Sequence, residues 1–272
     1  VVIGSTWSVK GSHAWRKPGY SLSKALVPNL VNILATELAN SHHFAIGVEF
    51  DLVNGGMNST LSDRQIAAAG NKKKWTWSGW VKKNTAQITT ETPYLWYAGN
   101  YSSVETGLYF YTGTGTNSDR LQFEHYDSSG GSTIHYQIRS TAKFRDTTAW
   151  YHIVAVWDTG NSETDRMRLY VNGQRITDLA ANAYPTLNYD SIINSEASAY
   201  QHNIGRRGTN YANMYLAEVY FIDDEALTAD SFGETKNGIW IPKLYTGSYN
   251  QNGFKLNFQD DTTVEGFNTV IW

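Results

Sequence analysis

The pattern of apolar and polar positions divides the chain into two regions. Residues 1–9 and 45–53 are short apolar runs typical of buried strands, and apolar residues recur every three or four positions over residues 18–40. The order strand, helix, strand predicts a right-handed βαβ unit with parallel strands. Pro28 falls inside the helical pattern and should kink that helix. We place the boundary in the polar stretch that begins at Ser59.

The second region, residues 72–272, consists of short runs rich in aromatic and β-branched residues, separated by clusters of Gly, Asn, Asp and Ser. Several runs alternate in the residues they place on the two sides of a strand. In WTWSGWVKK the residues Trp75, Trp77 and Gly79 alternate with Thr76, Ser78 and Trp80. Asn172-Gly173 is the strongest hairpin signal, because both residue types accept a positive φ. The sequence therefore predicts a mainly β fold, an antiparallel β-sandwich preceded by a βαβ segment over residues 1–66.

Composition limits the functions that are open to this chain. Charged residues make up 17% and aromatic residues 14%, which argues against disorder and favours a β-rich fold. The net charge of -3 offers no basic surplus for nucleic acid, so no nucleic-acid partner is expected. Without cysteine there is no disulfide, no zinc–thiolate site and no cysteine nucleophile. No apolar run approaches the roughly 18 residues of a membrane span.

Both ends of the sequence suggest a piece of a longer protein. The first residue is Val1 rather than Met, and the stretch from Val264 to Trp272 begins a new β pattern that stops abruptly. We expect further residues beyond both ends.

One segment of the first region carries a pair of residues with catalytic chemistry. Tyr20 and Lys24 in GYSLSKALVPNLVNILATELA are four residues apart and share one face of the predicted helix. Here residues 1–66 resemble the later half of the short-chain dehydrogenase/reductase family, in which a lysine activates a tyrosine for proton exchange. The resemblance implies Ser5 as the third member, with Ser8 as second choice.

That family holds its dinucleotide on a Gly-rich loop in its first half, and nothing in this sequence replaces the loop. A nucleotide cofactor would therefore lack a phosphate cradle. We interpret Ser5, Tyr20 and Lys24 as vestigial catalytic candidates, and a fragment of an oxidoreductase without its nucleotide-binding half is an alternative function.

The second region resembles a different family. The motifs RDTTAWYHIVAVWD, RMRLYVNGQRI and YLAEVYFIDDEALTADSFGE, in this order, resemble the laminin-G-like, concanavalin A-like lectin domains of tailed-phage structural proteins such as tail fibres. The resemblance implies a jelly-roll sandwich that recognises a surface glycan or polysaccharide without catalysis. It also implies a location on a virion, facing a surface, with other virion proteins as partners and a homo-oligomer such as a trimer. The alternative is a purely structural decoration or spacer domain.

A sugar is held by aromatic rings stacked on its C–H surfaces and by planar polar groups that bind its hydroxyls. Such residues are expected on loops. The loop candidates are Trp96, Tyr97, Tyr101, Tyr184, Tyr189, Tyr200, Asn210 and Tyr211. For Tyr184 and Tyr189 the alternative is that they fix the long segment 178–203 to the sheet.

Acidic residues could support two further kinds of chemistry, calcium binding and glycoside cleavage. The densest group of oxygen ligands is a candidate Ca²⁺ site formed by Asp158, Asn161, Glu163 and Asp165, although such residues are also common in turns. No other cofactor is expected. Glycoside cleavage needs two carboxyl groups that face each other, as Glu124 and Glu218 could, but no ExDxE-type strand is present and hydrolysis is not expected.

Overall fold

The computed structural model describes residues 48–49, 63–64, 69–83, 92–111, 115–197, 200–208, 210–212, 214–256 and 270–271. The chain divides into two compact units, residues 1–48 and 49–272. The predicted helix and the candidates Ser5, Tyr20 and Lys24 lie outside the described residues, so the βαβ segment and its domain boundary stay predictions.

The described residues are almost entirely β-strands. Two 3-10 turns, Glu163–Asp165 and Ala229–Ser231, interrupt them. In chain order the strands are β1 (Val48–Glu49), β2 (Asp63–Arg64), β3 (Lys74–Lys83), β4 (Tyr94–Gly99), β5 (Val104–Phe110), β6 (Arg120–Asp127), β7 (Ile134–Lys143), β8 (Tyr151–Asp158), β9 (Met167–Val171), β10 (Gln174–Arg175), β11 (Leu179–Ala183), β12 (Gln201–Ile204), β13 (Arg206–Arg207), β14 (Asn210–Tyr211), β15 (Met214–Asp223), β16 (Gly233–Lys236), β17 (Ile239–Pro242), β18 (Phe254–Leu256) and β19 (Val270–Ile271).

Two large antiparallel sheets build the domain. The first has the strand order β10-β9-β8-β3-β15-β18-β19, and the second has the order β11-β7-β6-β5-β4-β12-β2. Two small hairpins, β13–β14 and β16–β17, accompany them. This arrangement confirms the predicted mainly β fold with two antiparallel sheets in a sandwich.

Aromatic side chains from both sheets fill the space between them. Trp75 and Trp157 of the first sheet stack at 6.3 Å between ring centroids, and Phe123 of the second sheet meets the edge of Trp75 at 5.6 Å. Trp96 stacks on Phe221 in the same way at 5.3 Å. Since these five side chains are at most 2% exposed, their burial makes a large favourable contribution to folding.

The outer face of the first sheet is also covered. The segment that follows β15 places Phe232 and Trp240 against Val154, Tyr220 and other apolar residues of that sheet. Trp240 donates its indole N–H to Nδ1 of the buried His152 at 3.0 Å. A second apolar layer therefore lies on this side of the sandwich, and its outer face has little room for a ligand.

The predicted hairpin at Asn172-Gly173 is confirmed. Both residues have positive φ, 49° and 83°, and the turn joins β9 to the short antiparallel strand β10. The Asn172 side chain also accepts a hydrogen bond from the backbone N–H of His152 at 2.8 Å, which ties the turn to β8.

Candidate functional site

The outer face of the second sheet carries polar and aromatic side chains in three rows that cross the strands. The register places the first row in the order Ala181, Arg139, Gln122, Tyr109, Tyr94. The second row is Ala183, Gln137, Glu124, Gly107, Tyr97, Asn203. The third row is His135, Tyr126, Glu105, Gly99, Gln201. With Tyr101, Tyr111 and Arg207, which lie against them, we call these residues the tyrosine face.

Strand alternation explains why these side chains share one side. In β6 the residues Leu121 and Phe123 are buried, and Phe123 contacts the first sheet. Because successive side chains point to opposite sides of a strand, Gln122 and Glu124 must point away from the core. The tyrosine face is therefore the surface of the second sheet that lies opposite the core.

Glycines allow the tyrosine rings to lie along the sheet. A Cβ atom on Gly107 would lie 2.5 Å from Cε1 of Tyr94, and one on Gly99 would lie 2.4 Å from the Tyr97 hydroxyl. The ring of Tyr94 contacts that of Tyr109, with 4.6 Å between centroids. These rings thus form a closely packed floor, since a larger residue at either glycine would displace them.

A carboxylate and a guanidinium lie beside this floor. Arg207 donates from Nε to Glu105 Oε2 at 2.9 Å, and Tyr94 donates its hydroxyl to Glu105 Oε1 at 3.4 Å. Burial raises the pKa of Tyr94 and Tyr97 far above the usual value of 10, and the negative charge of Glu105 adds to this. Burial alone would lower the pKa of Arg207, but Glu105, together with Tyr94 and Tyr97, offsets this and raises the pKa above its usual value. Both phenols are therefore neutral, and the Tyr97 hydroxyl accepts a hydrogen bond from the backbone N–H of Tyr101 at 2.9 Å, while Arg207 is a cation.

A second carboxylate lies deeper in the face. Glu124 is 6% exposed and accepts hydrogen bonds from the Tyr109 hydroxyl and from His135 Nε2, both at 2.9 Å, and from the Gln122 amide. Burial, followed by the charge of Glu124, raises the pKa of Tyr109. The oxygens of Glu124 are therefore engaged by donors of the protein itself.

Arg139 occupies the opposite end of the first row. Its Nε donates to Gln122 Oε1 at 2.5 Å and its Nη2 donates to Gln137 Oε1 at 2.9 Å. Its Cζ lies 4.8 Å from the centroid of the Tyr111 ring. Two amides and one aromatic ring thus fix the plane of this guanidinium.

Four of the loop candidates lie in strands rather than in loops: Trp96, Tyr97, Asn210 and Tyr211. Trp96 and Tyr97 lie within β4, not in a loop, and are 2% and 0% exposed. The hairpin between β4 and β5 begins only after Gly99, which is why both rings belong to a strand. Trp96 points into the core, whereas Tyr97 is part of the tyrosine face.

Tyr101 does lie in the turn after β4, and its ring stacks on Tyr97 with 5.1 Å between centroids. Its hydroxyl lies 2.8 Å from the Gln201 side-chain oxygen and 2.6 Å from that of Asn203. The structure therefore brings Tyr97 and Tyr101 together at one end of the face.

The remaining loop candidates lie elsewhere. Tyr189 packs on Tyr136 at 4.9 Å and its hydroxyl lies 3.1 Å from His125 Nε2, so it ties its loop to the sheet. Tyr184 is half-buried after β11, and Tyr200 is half-buried before β12. Asn210 and Tyr211 form β14, and their side chains are outside the described residues.

Most residues of the tyrosine face were not among the sequence candidates. The sequence does contain an indication of this face: polar residues occupy every second position in two consecutive strands. In RLQFEHYD the residues Gln122, Glu124 and Tyr126 alternate with Leu121, Phe123 and His125. IHYQIRS repeats this alternation with His135, Gln137 and Arg139. Two neighbouring strands with polar residues on the same parity indicate one solvated face.

The proposed calcium ligands are paired with basic side chains. Asp165 accepts from Ser162 at 2.8 Å and pairs with Arg175 at 2.6 Å, contacts that lower its pKa. Asp158 lies 3.9 Å from Arg168, and the Asn161 side chain turns its N–H toward Asp158. A calcium ion at Asp158 and Asp165 would have to displace these arginines, so we expect none to bind there. Within the described ranges no three His, Asp or Glu side chains are grouped to hold a metal.

Glu124 and Glu218 cannot act as a pair across one cleft. Glu124 lies in β6 of the second sheet, and Glu218 lies in β15 of the first sheet, where it pairs with Lys255 at 2.9 Å. Their separation into different sheets removes the facing arrangement on which glycoside cleavage by these two residues would depend.

Comparison with known proteins identifies the family of the sandwich domain. The family model described as the concanavalin A-like lectin/glucanases superfamily matches residues 54–231. A search of curated proteins gave no match. In the part of the chain that the structure describes, no helix is long and apolar enough to span a membrane.

Solved structures to which this chain is similar include three proteins of different organisms. A SAP-like pentraxin from Limulus polyphemus is 14% identical, with a TM-score of 0.40 over 67% of this chain and 77% of that one. The CBM40 of the Ruminococcus gnavus IT-sialidase, bound to α2,6 sialyllactose, is 14% identical, with a TM-score of 0.40 over 68% and 93%. Domain 4 of a Geobacillus stearothermophilus GH43 arabinanase, in complex with arabinotriose, is 16% identical, with a TM-score of 0.39 over 68% and 78%.

Proposed function

The chain belongs to the concanavalin A-like lectin/glucanases superfamily, and from this premise we propose that its tyrosine face binds a carbohydrate without cleaving it. The observation that carries the proposal is the composition of that face. Packed phenol rings lie beside amide, carboxylate and guanidinium groups on one side of one sheet. These are the two kinds of group that a sugar requires, apolar rings for its C–H surfaces and planar polar groups for its hydroxyls.

The half-exposed members would make the contact. Tyr126 and Gln137 are both half-buried, and the Tyr126 ring meets that of His135 edge-on at 5.8 Å. The buried members, such as Tyr94 and Tyr109, would act as a rigid floor. A floor that is fixed before binding reduces the entropy lost when the sugar is bound.

The state of the two carboxylates favours binding over hydrolysis. A general acid and a nucleophile must both reach the scissile bond. Glu124 is held by three donors of the protein, and Glu105 is held by Arg207 and Tyr94. We therefore propose that both carboxylates orient the neighbouring aromatic side chains and the sugar hydroxyls. We also propose that the module is not an enzyme.

The setting we propose is a phage virion or tail-fibre-like protein that faces a bacterial or other extracellular surface. Its support is the similarity of residues 72–272 to tailed-phage structural domains in motif order. Other virion proteins and further copies of this chain, as in a trimer, would be its protein partners. Sedimentation of the purified chain would test the oligomer, and a single monomeric species would count against it.

A panel of immobilised surface polysaccharides tests the binding function. We expect the wild-type chain to bind at least one of them, and Tyr126→Ala to weaken that binding by roughly fivefold, since one ring–sugar contact is worth about 1 kcal/mol. Tyr184→Ala is the matched control, because Tyr184 is equally half-buried but lies outside the tyrosine face, and its binding should be unchanged. Binding to no glycan would favour the structural spacer role instead.

A further inference from the structure

On the tyrosine face the side chains that donate N–H groups are more exposed than the carboxylates that they contact. The Arg207 side chain is 31% exposed and its partner Glu105 only 14%. The His135 side chain is 36% exposed and its partner Glu124 only 8%. A ligand that approaches this face therefore meets N–H donors before it meets carboxylate oxygens.

Arg139 differs from Arg207, which pairs with Glu105, because no carboxylate pairs with Arg139 among the described residues. Its partners Gln122 and Gln137 are neutral amides, so they orient the guanidinium without neutralising it. The Gln122 side chain stands between Arg139 and Glu124, donating its amide to the buried carboxylate. A guanidinium offers five N–H donors in a planar fork, and the two amides engage only part of that capacity.

The neighbouring strand leaves this cation open on one side. The residues of β11 that pair with Arg139 and Gln137 are Ala181 and Ala183. A methyl group is the whole side chain at both positions, so nothing long extends from β11 over the guanidinium. Arg139 itself is half-buried. The result is a half-buried cation of fixed orientation, flanked by the small side chains of the edge strand β11.

From this arrangement we infer that the glycan bound by the tyrosine face is acidic, and that its carboxylate or sulfate group pairs with Arg139. The inference rests on the proposed function, because it names the ligand class of the same face. An oxyanion beside Arg139 would form charge-assisted hydrogen bonds with a guanidinium whose orientation is already set. The sugar ring would then extend from Arg139 toward Tyr126 and the tyrosine floor.

The test uses an acidic polysaccharide that contains uronic acid and the same polymer after chemical reduction of its carboxyl groups. The two share one backbone and differ in charge. We expect the wild-type chain to bind the acidic polymer roughly 10- to 100-fold more tightly than the reduced one, which is the range for a charge-assisted hydrogen bond. A sulfated polymer and its desulfated form provide the second arm and identify which anion is preferred.

Variants separate the role of Arg139 from that of net charge. Arg139→Gln should remove most of the preference for the acidic polymer and change binding to the reduced polymer by less than about threefold. Arg139→Lys should be intermediate, since it keeps the charge but loses the fork. Arg145→Gln removes the same charge from a side chain that is 62% exposed outside the tyrosine face, and it should keep the preference.

The outcomes distinguish the two proposals. Equal binding of the acidic and reduced polymers would overturn the inference and leave the proposed function standing. An undiminished preference in Arg139→Gln would also overturn it. If neither these polymers nor any glycan of the panel binds to the wild-type chain, the proposed function itself fails.

Discussion

Two buried histidines should make the sandwich less stable in mild acid. His152 and His125 are each 1% exposed, and burial lowers their pKa to about 3 and about 4. For His125 the charges of Asp127 and Glu124 offset part of the effect of burial. Each ring is held as a neutral group, His152 between Ser78 and Trp240 and His125 between Thr106 and Tyr189.

The sign and size of the effect follow from these values. In the unfolded chain a histidine takes up its proton near pH 6.5, whereas these two remain neutral in the folded state until far lower pH. Their contribution to stability is therefore complete above about pH 6.5 and is lost as the pH falls toward 4 for His125 and 3 for His152. Between pH 7 and pH 5 each should cost the folded state about 2 kcal/mol.

Urea unfolding followed by tryptophan fluorescence at pH 7 and pH 5 measures this loss. We expect the free energy of unfolding to be about 4 kcal/mol lower at pH 5 from these two residues together. In His152→Gln and in His125→Gln the difference between the two pH values should shrink by about 2 kcal/mol. Equal pH dependence in the wild type and both variants would refute the assignment of neutral, buried rings.

Three further perturbations test the packing, the buried ion pair and the acidic loop. Gly107→Ala should lower the free energy of unfolding in urea by about 1–3 kcal/mol and weaken glycan binding, because its Cβ would lie 2.5 Å from the Tyr94 ring. Gly130→Ala is the control and should cost far less, because no atom lies within 4 Å of its Cβ position. Lys83→Met should cost about 3 kcal/mol, since it leaves the buried Asp119 without its 2.6 Å partner and with only the exposed Arg145 at 3.4 Å. Lys72→Met, which breaks an exposed pair with Asp190, should cost under about 0.5 kcal/mol. Addition of Ca²⁺ should leave the melting temperature unchanged, because Arg175 and Arg168 occupy Asp165 and Asp158; a rise that Asp158→Asn abolishes would contradict this.

Much of the fold could be predicted because it depends on local patterns. The alternation in WTWSGWVKK placed Trp75 and Trp77 on the buried side of β3, and Asn172-Gly173 fixed a hairpin through backbone conformations that few other residue pairs accept. These signals lie within a few residues of sequence, which is why they can be recognised without the structure.

The site could not be predicted in the same way, because it depends on which strands are neighbours. Arg139 and Tyr94 are far apart in sequence and meet in one row only through the register of β7, β6, β5 and β4. The expectation that binding residues lie on loops also gave Trp96 as a candidate, although its ring is in the core. The alternation of polar residues in β6 and β7 is visible in the sequence, but it identifies a shared face only when the two strands are known to be paired.

The most direct test of the central claim, that the outer face of the second sheet is the carbohydrate-binding surface, is an NMR chemical-shift map of the chain with the best-binding glycan of the panel. We predict that the shifts concentrate on half-exposed residues of the tyrosine face, with Tyr126, Gln137 and Arg139 among the largest. Shifts confined to the loop around Tyr184 and Tyr189, or to the hairpin β16–β17 on the first sheet, would contradict the account.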